Sequence, residues 1–162
     1  VLLRIQSTGP AIGVRQDVRV GAHPALLAQV ARDAQAPFVL GILLIVLFAG
    51  GMVDVQRVPD TQDSNLEGWH RALKSLRELP VKTVVPGHGA AAPASAIADV
   101  QTYLAQLEAR SRELVAANAS LSGVPDASEL PAYESWDQYE TIHRRNASIV
   151  FLRIEREALF KR

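Results

Sequence analysis

The chain of 162 residues contains no cysteine and carries no excess of charge of either sign. Without cysteine it has no disulfide, no thiolate metal site and no cysteine nucleophile. Lysine plus arginine and aspartate plus glutamate number 17 each, so the formal net charge is zero. This balance indicates neither nucleic acid nor a strongly charged macromolecule as a partner.

The composition is typical of one folded domain spanning residues 1–162. Hydrophobic residues make up 48% and charged residues 21%, which favours a globular chain with a core over a disordered one. The chain begins at Val1 rather than at a methionine and shows no signal-peptide pattern. We therefore expect a processed, trimmed or fragmentary chain, and its compartment is left open.

The longest apolar stretch is uncharged from Ala34 to Val53, which is the nominal length of a membrane span. Gly41, Gly50 and Gly51 interrupt this stretch, and no positive cluster flanks it. These features favour a buried strand that ends at the paired glycines, or two strands joined at Gly41, with membrane attachment as the alternative.

Another strand is predicted from Val81, where a β-branched run stops at Pro86, which ends the strand. His88 follows between Gly87 and Gly89, on a tight loop at the carboxyl end of the strand. Ligands and metals bind at such ends in open α/β sheets. His88 is therefore a candidate metal ligand, the alternative being an ordinary turn histidine.

A helix is predicted between these two strands. Ser64 and Glu67 have the spacing of a capping box, and Trp69 lies on the apolar face that follows. His70 is expected on the solvated face. Strand, helix and strand form a βαβ unit with parallel strands, and the predicted fold class is α/β.

The remaining segments are mostly helical. We predict short strands at 1–6 and 12–20, a helix at 22–34, a long helix from about Ser95 and a last helix up to Leu159. His143, Arg144 and Arg145 are expected at the surface, with anion binding as the alternative.

Residues 46–50, the polar loop after them, the tryptophan-containing helix at 64–79 and residues 84–89 together resemble the second half of a metallo-β-lactamase-fold hydrolase. The tail at 136–139 with 143–146 is similar to the zinc metallohydrolases associated with quinoprotein relay systems. The resemblance covers residues 46–160. It implies a metallo-β-lactamase-like αββα sandwich in which residues 46–162 are the C-terminal half and 1–45 a divergent or truncated first half.

The resemblance further implies one or two zinc ions, with His88 as a ligand, that activate water to hydrolyse a small-molecule substrate. The H-x-H-x-D-H cluster of the family is absent, and its nearest counterpart contains His23 alone. Gly51 stands where the family commonly has an aspartate, and Asp54 lies three residues further on. Asp54 and His23 are therefore additional candidate ligands, and no catalytic residue is assigned.

Three hypotheses about function follow. In the first, the chain is a zinc-dependent hydrolase whose other ligands are unrecognised or come from another chain. In the second, it is a non-catalytic remnant of the fold that serves in binding or assembly. In the third, it is a protein attached to a membrane by residues 34–53. We expect a soluble protein whose compartment is left open, the bacterial cytoplasm and the periplasm both being compatible with the sequence. Half a sandwich would expose an apolar sheet face. Either the first 45 residues form a reduced second sheet that covers it, or two copies of the chain pair, and a homo-oligomer is the expected arrangement.

Overall fold

The computed structural model describes residues 19–20 and 45–160. In these residues the protein is mixed α/β, which confirms the predicted class. Its sheet has the strand order β1-β2-β3-β4, made of Arg19–Val20, Ile45–Gly50, Val81–Pro86 and Ala92–Pro93. The predicted strand at 1–6, most of that at 12–20, the helix at 22–34 and His23 lie outside the described residues.

One helix lies between β2 and β3, and the other helices follow β4 along the chain. Helix α1 is Leu66–Arg77, α2 is Ser95–Ala116, α3 is the short Val124–Ala127 and α4 is Arg144–Phe160. Two 3₁₀ turns, Leu121–Gly123 and Pro131–Tyr133, lie on either side of α3, and a π-helical turn, Tyr139–His143, leads into α4. The long and final helices of the sequence prediction are confirmed as α2 and α4.

The βαβ unit is confirmed. Strands β2 and β3 pair in parallel, with Leu47 opposite Val84 and Phe48 opposite Val85, and α1 connects them. Strands β1 and β4 flank this pair and are antiparallel to it. Because β2 and β3 are parallel, their carboxyl ends lie at the same edge of the sheet.

One core joins the sheet to the helices. Leu47 and Ala49 of β2 are buried with apolar side chains of α1 and α2, among them Trp69, Leu73 and Ile97. Phe48 lies between the two β2 residues and is 55% exposed, because successive side chains of a strand point to opposite faces. The prediction that Trp69 belongs to the core is confirmed.

The start of α1 differs from the prediction. Asn65 rather than Ser64 caps the helix, and its side-chain oxygen accepts the backbone N–H of Gly68 at 3.0 Å. The Ser64 hydroxyl instead donates to the carbonyl of Thr61, while Glu67 pairs with Arg71. The predicted capping box is therefore wrong, since Ser64 belongs to the preceding turn.

In the part of the chain that the structure describes, no helix is long and apolar enough to cross a membrane. Of the uncharged stretch at 34–53, residues 45–50 form strand β2, as the sequence favoured. Residues 34–44 lie outside the described residues.

Candidate functional site

The site lies where β2 and β3 end. After β2 the chain turns at Gly50, which has a φ of +51°, a conformation that glycine adopts without strain. Two backbone hydrogen bonds close this turn, from Met52 N–H to the Ala49 carbonyl and from Val53 N–H to the Gly50 carbonyl. The turn directs residues 53–55 back along the end of β3.

Two backbone hydrogen bonds join these residues to the loop that carries His88. Gly87 N–H donates to the Val53 carbonyl and Val55 N–H donates to the His88 carbonyl, both at 3.0 Å. The bonds lie on either side of Asp54 in sequence. They therefore hold the Asp54 backbone against that of His88 and restrict where the two side chains can lie.

Glycine is required on both sides of His88. A Cβ at position 87 would lie 2.7 Å from the backbone carbon and oxygen of Gly50. Gly89 has a φ of +98°, and a Cβ there would collide with the carbonyl oxygen of Val55. Both glycines therefore allow close contact between the backbone of the His88 loop and that of the residues after β2.

Asp54 and His88 form the central contact of the site. Asp54 Oδ1 accepts the backbone N–H of His88 at 3.1 Å and lies 3.0 Å from the imidazole Nδ1. A carboxylate oxygen accepts hydrogen bonds, so this contact places the hydrogen on Nδ1, and in the neutral imidazole Nε2 then has the lone pair. The His88 side chain is 59% exposed and that of Asp54 is 7% exposed. A buried carboxylate therefore orients an imidazole that is itself exposed to solvent.

Trp69 supports the turn that precedes Asp54. Its indole Nε1–H donates to the carbonyl of Met52 at 3.0 Å, inside the core. Sequence periodicity predicted that Trp69 lies in the core, but it could not predict this hydrogen bond. A periodicity shows which face of a helix is buried and not which polar atoms meet.

The structure brings together two of the three candidate ligands. Asp54 contacts His88 directly, and His23 lies outside the described residues. Within residues 19–20 and 45–160, no group of three or more histidine, aspartate or glutamate side chains could hold a metal ion. What the described residues provide is one oriented imidazole.

A second polar cluster is buried between α2 and α4 and was missed by the sequence reasoning. His143 is 1% exposed, with Nδ1 3.0 Å from the Tyr103 hydroxyl and Nε2 2.9 Å from the Ser128 carbonyl. The prediction that His143 lies at the surface is wrong, because α4 packs this side of the chain against α2.

Burial has consequences for both ionisable groups of this cluster. It lowers the pKa of His143 below the ordinary value for histidine and raises that of Tyr103 well above the ordinary value for tyrosine. Both groups are therefore neutral at pH 7.

Arg144 and Arg145 are paired with carboxylates. Arg144 contacts Asp126 and Arg145 contacts Asp60, each at 2.5 Å. These ion pairs weaken the alternative that the two arginines bind an anion, because each guanidinium already has a negative partner.

His70 is also paired, contrary to expectation. Its Nε2 lies 2.8 Å from Glu108 on α2, and both side chains are partly buried. This hydrogen bond, together with that from Arg112, holds the pKa of Glu108 below its usual range despite partial burial. The pair links α1 to α2.

The comparisons with known proteins found no match: no family model matches the chain, and no curated protein matches it.

Proposed function

We propose that this chain is a metallo-β-lactamase-like αββα sandwich, with residues 46–162 as its C-terminal half and 1–45 as a divergent or truncated first half, and that His88 is a zinc ligand of a hydrolase. The observation that carries the proposal is the contact of Asp54 Oδ1 with Nδ1 of His88, which leaves Nε2 of this exposed side chain without a hydrogen-bond partner among the residues that the structure describes.

A histidine that binds a metal through one nitrogen commonly donates the N–H of the other nitrogen to a carboxylate. The carboxylate selects the tautomer, orients the ring and makes the free nitrogen more basic. Asp54 has this relation to His88. We therefore assign Asp54 the orienting role and His88 Nε2 the role of ligand.

Bound zinc would supply a water of lowered pKa and a Lewis acid for the substrate. A catalytic zinc has about three protein ligands and an open position. The further ligands must come from residues outside the described part of the chain, with His23 as the candidate, or from a second chain. The resemblance limits the substrate to a hydrolysable small molecule.

A second candidate function is a remnant of the fold that binds or assembles without catalysis. It is favoured by two observations: the described residues contain no group of three metal-ligating side chains, and Gly51 occupies the position where the resemblance leads one to expect an aspartate. A homo-oligomer also remains proposed. The exposed Phe48 of β2 is consistent with it, and light scattering of the full chain tests it.

The zinc content of the purified full chain separates the two candidates. The hydrolase proposal expects bound zinc that is lost in His88→Ala and retained in His70→Ala, a matched variant whose imidazole pairs with Glu108 instead. A folded wild-type chain that contains no zinc after purification and takes up none from a zinc-containing buffer would support the remnant and refute the hydrolase.

A further inference from the structure

A chain of hydrogen bonds crosses the core between the loop that follows Asp54 and the segment that follows α3. We call it the buried polar chain, and its members, all buried, are Thr61, Asn146, Tyr103, His143 and Ser128. It joins four separate parts of the protein: the loop before α1, helix α2, the π-turn with α4, and the segment after α3.

The direction of the bonds is determined at the Asn146 end. The backbone N–H of Thr61 can only donate, so the atom 3.0 Å from it is the amide oxygen Oδ1, which also accepts the Thr61 hydroxyl. The amide nitrogen Nδ2 therefore donates, to the Pro59 carbonyl at 2.7 Å and to the Tyr103 hydroxyl at 3.3 Å.

The direction is determined at the His143 end as well. The Ser128 carbonyl can only accept, so Nε2 of His143 carries a hydrogen. The Tyr103 oxygen accepts from Asn146, and its own hydrogen is directed to Nδ1 of His143. His143 is thus held as the neutral Nε2–H tautomer.

Protonation of His143 is incompatible with this arrangement. Both ring nitrogens would then be donors, so the Tyr103 oxygen would face N–H groups from His143 and from Asn146. The Tyr103 hydrogen would lose the acceptor that it has in the buried polar chain. A buried donor without an acceptor destabilises the folded state. Because the hydrogen bonds of a connected network strengthen one another, the loss of one bond also weakens its neighbours.

Other groups around His143 modify this effect. His143 is one of the residues that line a cavity of about 300 Å³. The titratable and charged groups that face it are Tyr103 of α2, the stacked Tyr139, Arg144 of α4, and Glu129, Glu134 and Glu140 of the cavity, while Asp126 of α3 pairs with Arg144. Burial and Arg144 oppose protonation, whereas the hydrogen bond to the Ser128 carbonyl, Glu140 and Glu129 favour it.

We propose that His143 is an acid-sensitive latch: its protonation breaks the bond from Tyr103, weakens the hold of Asn146 on Pro59 and Thr61, and loosens the loop between Asp54 and α1. This device goes beyond the proposed function and does not require zinc. The latch is fully closed above pH 6.5, the ordinary value for histidine, and opens as the pH falls towards the lowered pKa of the buried ring.

Amide hydrogen exchange of the full chain, measured by NMR from about pH 7 to pH 5, tests the latch. The wild-type protein should show His143 as the Nε2–H tautomer at neutral pH. The protection factor of the Thr61 amide should fall below pH 6.5, by at most about tenfold per pH unit for one proton, and that of Val84 in β3 should fall less. Constant protection at Thr61, or an equal fall at both amides, would overturn the proposal.

Two variants complete the test. His143→Asn keeps an acceptor for the Tyr103 hydroxyl but cannot be protonated, so its Thr61 protection should not change over this pH range. His70→Asn removes a histidine of a different contact and should keep the wild-type response. If the Thr61 protection factor fell as much in His143→Asn as in the wild type, the effect would belong to another group and the latch would be refuted. If this variant does not fold, the Thr61 and Val84 comparison in the wild-type chain decides.

Discussion

Asp54 and His88 are 34 residues apart in sequence, yet one oxygen, Asp54 Oδ1, accepts the backbone N–H of His88 at 3.1 Å and lies 3.0 Å from its Nδ1. The contact holds both the backbone and the ring of His88 with one buried carboxylate. It depends on the backbone pairing of residues 53–55 with 87–88, which follows from the parallel arrangement of β2 and β3.

The first prediction concerns the orienting carboxylate. Under the proposed role of His88 as a zinc ligand, Asp54→Asn removes the charge-assisted bond to Nδ1 and should lower zinc affinity about 10–100-fold, the usual effect of losing such a partner. Imidazole nitrogen shifts should show a mixture of tautomers at His88. Asp99→Asn, which changes an exposed carboxylate on α2, is the control and should leave both readouts unchanged. If Asp54→Asn kept the zinc affinity and the His88 tautomer of the wild type, the orienting role assigned to Asp54 would be contradicted.

The second prediction concerns the close backbone contact at Gly87. Gly87→Ala should destabilise the fold by about 1–3 kcal/mol, because its Cβ would overlap the Gly50 backbone. Gly123→Ala is a matched control, since its Cβ would have no atom within 4 Å, and its unfolding free energy should change by less than about 0.5 kcal/mol. Urea unfolding measures both values. Equal stability of the two variants would show that the loop can move away.

The third prediction concerns Trp69. Trp69→Phe keeps an aromatic ring in the core but leaves the Met52 carbonyl without the indole donor, so we expect a loss of about 1–3 kcal/mol. Thermal and urea unfolding should agree on the sign. The imidazole signals of His88 should also broaden, because the turn before Asp54 is less well held. Unchanged stability would mean that the bond adds nothing beyond the packing of the ring.

The fourth prediction is a pH dependence. The lowered pKa of Glu108 means that its bonds to His70 and Arg112 stabilise the protein above the ordinary carboxyl pKa of 4.5 and are lost as the pH falls through the lowered value. Glu108→Gln should therefore be less stable than the wild type at pH 7, with the difference vanishing in acid. Unfolding free energies measured across this range check it. A difference that is independent of pH would show that packing, and not charge, is responsible.

Local patterns predicted the framework of the site. The β-branched runs at β2 and β3 and the apolar face around Trp69 are sufficient for a βαβ unit, because strand and helix periodicities are properties of neighbouring residues. The cap of α1 was missed by one position. Ser64 and Asn65 are both good caps, and the turn at Thr61 that uses the Ser64 hydroxyl decides between them.

Polar contacts could be predicted far less well. His143 stands in a polar-looking run with Arg144 and Arg145, which indicates a surface, yet the packing of α4 on α2 buries its ring and leaves the two arginines in ion pairs. Asn146 gives no local sign that it will bind Thr61, 85 residues away. Such pairs depend on how distant elements dock.

The loop after Pro86 shows the same difference between what the sequence predicts and what only the packing decides. The sequence by itself determined a strand that ends at Pro86, a histidine between glycines and a preceding helix that carries Trp69, since each rests on backbone preferences of the residues concerned. Only the tertiary structure decided that Asp54 turns back to contact His88 and leaves its Nε2 exposed. The physical reason is that a hydrogen bond needs two atoms within about 3 Å, and the packing of strands and turns sets such distances between residues far apart in sequence.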